Sequence, residues 1–290
     1  MIGSDSEILR RQEFKTAFID EAAQALEPAS WIPILKSNRV IFAGDHCQLP
    51  PTIKSFEAAK AGLETTLFEK AIKRNTADVM LSEQYRMNED IMNFSSRMFY
   101  KNKLRANSMV QHWKVFNEDQ VVEFIDTAGC GYYEAIDKET RSSFNQEEAD
   151  LLIKHLILYH SQLESMEQTD ALSSVGVISP YKAQVNLLNE KFAEAGLPET
   201  LTKKTVINTV DSFQGQERDV IYISLVRSNE EGQIGFLSDT RRMNVAMTRA
   251  RKKLVVIGDS GTIGQHPFYE KFLDYINEIE SYHSAFEWIY

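Results

Sequence analysis

The stretch VGVISPYKAQVNLLNEKFAEAG, Val175 to Gly196, changes its period halfway. Its opening run is apolar or small at consecutive positions, the pattern of a strand covered on both faces. After the Ser-Pro turn, apolar residues recur at three and four, which predicts a helix over 180–196. The same exchange continues along the chain. Strand candidates are TAFID (16–20), RVIFAGD (39–45), VVEFID (121–126), TVINTVD (205–211), VIYISLV (220–226) and KLVVIGD (253–259), and EEADLLIKHLILYH (147–160) is a second helix candidate. Strands alternating with helices predict an α/β fold whose sheet is parallel. In such sheets ligands bind beyond the carboxyl ends of the strands, and several of these runs end in Asp, Ser-Pro or Gly-Asp, so chemistry is expected there. The polar segment 160–174 reads as a loop, 101–120 as an irregular connector, and KRNTADVML near residue 75 as a junction between two sheets.

A chain of 290 residues with 43% apolar and 26% charged residues has the composition of a globular protein with a sizeable core. Its net charge of −10 supplies no bulk basic signature, so nucleic-acid binding would have to rest on a local groove of Arg and Lys. Two cysteines, Cys47 and Cys130, rule out a disulfide framework, and no Cys or His pairing has the spacing of a zinc site. No apolar run reaches the roughly 18 residues of a membrane span, and the start MIGSDSEILRRQEF lacks the apolar stretch of a signal peptide. The expectation is a soluble intracellular protein, cytoplasmic or nuclear, with no membrane partner.

Five stretches carry chemistry. In FIDEAAQALEP (18–28), Asp20 and Glu21 follow an apolar run. An acid at a strand end can hold magnesium while its neighbour accepts a proton from an attacking water, although acids also suit the start of a helix for dipole reasons. RVIFAGDHCQLPPTIKS (39–55) carries Gln48, whose neutral amide can sense a γ-phosphate or orient water, or can simply be solvated in a turn. In LSEQYRMNEDIMNFSSRMFY (81–100), Tyr85 offers a ring for stacking and Arg86 a fork that suits phosphate. VDSFQGQERDVIYISLVRS (210–228) places Gly215, which lets backbone approach a ligand, beside Gln214 and Glu217, which can hydrogen-bond sugar or phosphate-linked groups. DTRRMNVAMTRARKKLVVIGD (239–259) puts Arg242, Arg249 and Arg251 on one predicted helix, a guanidinium cluster without matching acids that calls for an anion.

Taken in this order, DEAAQ, GDHCQLPP, EQYRM, VDSFQGQERD and RRMNVAMTRAR resemble the motifs of superfamily 1 helicases, and most closely the branch, often called 1B, of the RNA-surveillance helicases and senataxin. The resemblance spans about residues 14–262. It implies a RecA-like parallel sheet with helices on both faces, of the P-loop NTPase type. Residues 1–75 would be the C-terminal part of a first RecA-like domain, 76–262 a complete second one, and 263–290 a helical tail in which Phe272, Tyr275 and Ile276 pack on the sheet. ATP and Mg2+ are the implied cofactors, and single-stranded or duplex RNA or DNA the implied partner. Asp20 would ligate magnesium and Glu21 activate water, while Gln48 would couple the γ-phosphate to the nucleic-acid site. Tyr85 would stack on adenine, and Arg86 and Arg249 would be arginine fingers. Gly215 and Glu217 would lie near ribose and phosphates; Ser179, Pro180 and Tyr181 of ISPYKAQ, with Thr209 and Ser212, would meet the nucleic-acid backbone.

One departure from the family pattern stands out. Superfamily 1 enzymes carry GxxxxGK[ST] before the acidic pair, and no Gly is followed by Lys anywhere in these 290 residues. The expectation is therefore the C-terminal part of a helicase whose N-terminal half is missing, inactive on its own because the loop that holds the β- and γ-phosphates is not in the sequence. The rival reading is a RecA-like module that binds nucleic acid or a partner without turnover; a nuclease-helicase has no convincing cluster of acids to support it. In this family the strands of the first two motifs are neighbours and the P-loop strand lies beside the second, so RVIFAGD is expected to keep an open, adhesive edge.

Overall fold

The computed structural model describes residues 11–53, 55–74 and 78–289, so the segment 1–10 and the junction expected near residue 75 lie partly or wholly outside the described residues. The chain divides into two compact units between Met80 and Leu81. In the first, β1 (Ala17–Ile19) runs parallel to β2 (Val40–Phe42), with Ala17 opposite Val40, Phe18 opposite Ile41 and Ile19 opposite Phe42. The two strands are therefore neighbours, as the family resemblance implies. Between them α1 (Glu27–Ile34) starts with Pro28 in its first turn, where a missing N–H costs nothing. After β2 the chain needs glycine: a Cβ on Gly44 would sit 3.0 Å from the Ala22 nitrogen and 3.1 Å from that of Ala23. The turn after β2 thus lies directly against the turn after β1. After a short helical segment over Phe56–Ala58 and Ala59–Leu63 comes α2 (Leu67–Lys73), opened by a capping box in which Thr66 and Glu69 satisfy each other's backbone N–H groups.

The second unit is built on six parallel strands: β5 (Val122–Asp126), β8 (Val175–Ser179), β9 (Thr205–Thr209), β10 (Arg218–Ser224), β11 (Ala250–Gly258) and β12 (Tyr282–Ser284), in the order β12-β5-β11-β10-β8-β9. Two short pairs stand outside this sheet, β3 (Glu83–Gln84) with β4 (Arg105–Ala106) and β6 (Ala135–Ile136) with β7 (Ser143–Phe144). Alternate side chains point to opposite faces. On one face Ile125, Val177, Tyr222, Val255 and Ile257 pack with Leu152 and Leu156 of α4 (Gln146–Ser165), and α5 (Lys182–Glu194) adds Leu188. On the other, Phe124 meets Phe272 of α7 (Pro267–Glu278) edge-on at 5.9 Å, and Phe94 of α3 (Glu89–Phe99) meets Phe268 and Phe272 at 5.2 Å. The sheet is covered on both faces, which is why its strands read as unbroken apolar runs rather than alternating ones.

Several boundaries differ from those the sequence suggests. Helix α4 runs on to Ser165 into the segment expected as loop, and β9 stops at Thr209 before a 3-10 turn over Val210–Phe213. The stretch 263–290 is not helical throughout. After α7 it forms β12, which joins the sheet edge beside β5 through Phe124 N–H to Ser281 O and Ala285 N–H to Asp126 O, both short backbone bonds. Phe272, Tyr275 and Ile276 are buried, as expected for a segment closing the core. Among the described residues no helix is long and apolar enough to cross a membrane.

Candidate nucleotide and nucleic-acid site

In the first unit the acids lie at the carboxyl end of β1. Asp20 and Glu21 are both exposed, and Glu21 adopts the left-handed conformation at φ 49° and ψ 39° that lets the chain turn into Ala22–Gln24. Asp20 Oδ1 accepts from the Glu21 N–H at 2.9 Å, and Glu21 Oε2 from Gln24 Nε2 at 2.8 Å. At the same end of the two-stranded sheet, the turn after β2 holds Gln48, whose Nε2 donates to Asp45 Oδ2 at 2.9 Å. Asp45 Oδ1 meanwhile accepts from Cys47 N–H, so one carboxylate shapes the whole turn and fixes the glutamine amide. Two solvated carboxylates beside a tethered amide form an oxygen-rich donor set of the kind that suits Mg2+.

In the second unit the chemistry gathers at the other end of the strands from the one expected. Glu217 precedes β10 and Arg249 precedes β11, with Arg218 N–H bonded to Arg249 O at 2.9 Å, so the cluster lies at the amino ends of both strands. Arg86 reaches the same place from the turn after β3. Its Nε donates to Glu217 Oε2 at 2.8 Å and its Nη1 to Thr248 O at 3.3 Å. That turn is organised by Gln84, which accepts from the N–H groups of Arg86 and Met87 and donates to Met87 O, all at 2.8 Å. Tyr85, 60% exposed, projects from it as an open ring. Gly215 stands at φ 72°, where only glycine sits without strain.

The arginines are not on one helix, and two of them, Arg242 and Arg251, face acids. Helix α6 (Thr240–Met247) ends before Arg249, because the Thr248 hydroxyl turns back onto Asn244 O and Val245 O and the β-prone run that follows enters the sheet. Arg242 pairs with Asp239 at 2.6 Å and lies 3.7 Å from Asp211. Arg251 lies 3.7 Å from Glu217 and 3.5 Å from Asp219, with its guanidinium over the Trp113 ring. Arg249 is buried, its guanidinium donating to Val245 O, Gln216 O and Thr248 Oγ1.

At the carboxyl ends of β8 and β9 the expected nucleic-acid residues separate into two groups. Ser179 and Tyr181 are buried, and the Tyr181 hydroxyl donates to Ile234 O and accepts from Phe236 N–H, so it pins a loop; Pro180 is half-buried. Thr209 is half-buried and Ser212 exposed, with their hydroxyls 3.3 Å apart on the surface.

Sequence reasoning missed a buried group at this same carboxyl end. Glu148, completely buried near the start of α4, accepts from Ser224 Oγ at 2.5 Å and from Val226 N–H at 3.0 Å. Burial pushes its carboxyl up to about 7 despite those hydrogen bonds. The signal available in sequence was Asn145 three residues earlier, which caps the helix by accepting from Glu148 N–H.

Two family models described as AAA domain match the chain, one over residues 1–56 and the other over 63–261, the latter more than half of its length. The chain belongs to the superfamily 1 helicases. It is 37% identical to the rat DNA-binding protein SMUBP-2, with 97% of this chain aligned to 28% of that protein. It is 38% identical to the Methanocaldococcus jannaschii uncharacterized ATP-dependent helicase MJ0104, over 96% of this chain and 41% of the relative. It is 39% identical to the Saccharomyces cerevisiae DNA polymerase alpha-associated DNA helicase A, over 86% and 38%. The chain thus spans less than half the length of these relatives. Among solved structures, the PRRSV helicase aligns at a TM-score of 0.44 and 17% identity, over 87% of this chain and 36% of that one. The six-stranded parallel sheet with helices on both faces is the RecA-like fold of the family.

Proposed function

We propose that the chain is the C-terminal part of the motor of an intracellular ATP-dependent helicase that translocates along and unwinds RNA or DNA. Residues 1–75 end its first RecA-like domain, and 76–262, together with the strand and helices of 263–290, form the second. What carries this reading is the convergence of Arg86, Glu217 and Arg249, from three distant segments, beside the open Tyr85 ring. Tyr85 receives adenine, Gly215 and Glu217 face ribose and phosphates, and Arg86 and Arg249 stabilise charge on the transferring phosphoryl group. Thr209 and Ser212 meet the nucleic-acid backbone, and the buried Ser179 and Tyr181 hold the adjoining loop. Asp20 would hold Mg2+, Glu21 would take the proton of the attacking water, and Gln48 would link the γ-phosphate to the nucleic-acid site. When bound, the metal would supply neutralisation of charge on the phosphate oxygens.

The 290 residues contain no GxxxxGK[ST], so the isolated chain is expected to release no phosphate from ATP, with or without single-stranded nucleic acid. Turnover by the isolated chain that nucleic acid stimulates and Glu21→Gln abolishes would overturn that inactivity. In a longer protein carrying this chain behind such a loop, Glu21→Gln is expected to cut stimulated ATP hydrolysis by about two to four orders of magnitude. Undiminished hydrolysis there would refute the role of the acidic pair.

A further inference from the structure

Glu217 is shared. Its Oε2 accepts from Arg86 Nε at 2.8 Å, and its Oε1 lies 3.7 Å from Arg251 Nε. Both carboxylate oxygens therefore face a guanidinium group. The 2.8 Å hydrogen bond orients Arg86, and because both side chains are more than one-third exposed the contact is weak enough to exchange with ligand groups. Arg86 is also anchored on its other side, by Thr248 O. In this arrangement the Glu217 charge cancels much of the field that Arg86 would offer a phosphate. A carboxylate is equally the natural acceptor for two neighbouring hydroxyls, and Tyr85, next to Arg86 in sequence, offers its ring on the same turn.

We propose that Glu217 is a positioning residue that exchanges partners: it holds Arg86 until a nucleoside diol takes its carboxylate, and that exchange frees the Arg86 guanidinium for a phosphate. Each exchange supplies what the other removes. The diol replaces the guanidinium at Glu217, and the phosphate replaces the carboxylate at Arg86, so the two ligand groups bind with positive coupling. Bare polyphosphate, which offers no diol, meets an arginine that is already neutralised. This inference rests on the nucleotide reading of Tyr85 and Glu217 given above, and it adds a reason for the site to prefer ribonucleotides to free polyphosphate and to dideoxynucleotides.

The test needs no hydrolysis. Inorganic pyrophosphate is titrated into the chain, followed by calorimetry and by the Nε–H resonance of Arg86, alone and with saturating adenosine or 2′,3′-dideoxyadenosine. Adenosine is expected to tighten pyrophosphate about fivefold, and the dideoxy compound to leave it unchanged. Glu217→Gln is expected to tighten pyrophosphate by about the same factor without any nucleoside and to erase the adenosine effect. In Arg86→Gln both effects should vanish. An ion pair with only a structural role would alter the thermal midpoint of Glu217→Gln yet show no dependence on the diol. The proposal is overturned if adenosine and its dideoxy analogue act alike, or if the adenosine effect survives in Glu217→Gln. The dideoxy comparison uses the unmodified chain, so it stands even if a variant folds poorly. If pyrophosphate and adenosine both bind without coupling, the exchange fails and the nucleotide reading survives. If neither binds, both fall.

Discussion

Glu148 is a buried carboxyl that, among the described residues, has no cation as a hydrogen-bond partner. It holds Val226, a β-branched residue at φ 72°, through the Val226 N–H, so part of its work is to keep a strained turn in place after β10. Burial lifts its carboxyl from the ordinary 4.5 to about 7. Between those two values the folded chain binds a proton that the unfolded chain has released. Stability contributed by this group is therefore complete below about pH 4.5 and declines as pH rises toward 7. The loss over that window is on the order of 3 kcal/mol, from about 1.4 kcal/mol per unit. Glu148→Gln keeps an acceptor for Val226 N–H and removes the titration. Urea unfolding at pH 5 and pH 7.5 should show the variant's advantage growing with pH, and equal pH dependence in the two proteins would contradict this account.

At the scale of elements, the joint between β5, β11 and α4 is polar. Lys253 of β11 is buried and donates from Nζ to Asp119 Oδ1 at 2.8 Å, to Gln120 O at 2.7 Å and to Glu123 Oε1 at 2.5 Å, above the Tyr159 ring. His155 of α4 lies 3.3 Å from the other oxygen of Glu123 and bonds Tyr222 of β10 through Nδ1. Burial opposes ionisation of Glu123, but the His155 hydrogen bond and the Lys253 charge outweigh it and draw its carboxyl down to about 2. Lys253→Met would leave Asp119 and Glu123 inside without their cation. A loss of about 3 to 5 kcal/mol is expected, visible as a lower urea midpoint, and a change under 1 kcal/mol would mean the network is dispensable. The sequence shows the strand KLVVIGD plainly but not this joint, because Lys253 stands 134 residues from Asp119 and 130 from Glu123. Local period reveals an element, whereas a partner across the sheet is set by topology. For the same reason the run TRRMNVAMTRAR reads as one helix in sequence, and only the Thr248 turn shows that Arg249 faces inward while Arg251 belongs to β11. The motif residues themselves were legible because their order along the chain carries the family resemblance. Tyr282–Ser284 was not, since three residues have no measurable period and gain their strand character from pairing with β5.

For the molecule as a whole, the two units differ in how well they bury themselves. The second closes six strands between helices on both faces, with β5, β8, β10 and β11 almost wholly buried. The first, among the described residues, rests on two strands of three residues, and an isolated two-stranded sheet is marginal in water. Phe18 and Ile41 sit opposite each other across that pair and are 75% and 39% exposed, and Leu35 is 81% exposed. Paired apolar side chains on a short sheet, beside backbone groups with no further strand, favour pairing with a second copy. The chain is therefore expected to self-associate as concentration rises, with the sedimentation coefficient increasing, and Phe18→Lys with Ile41→Lys to suppress the increase. Phe236→Lys changes an aromatic residue of the second unit that is 64% exposed, and it should leave the association as it is. That contrast separates an adhesive first unit from general surface hydrophobicity. A chain that stays monomeric across the concentration range, with the amide protons of Val40–Phe42 strongly protected from exchange, would show that the small sheet is closed by its own packing.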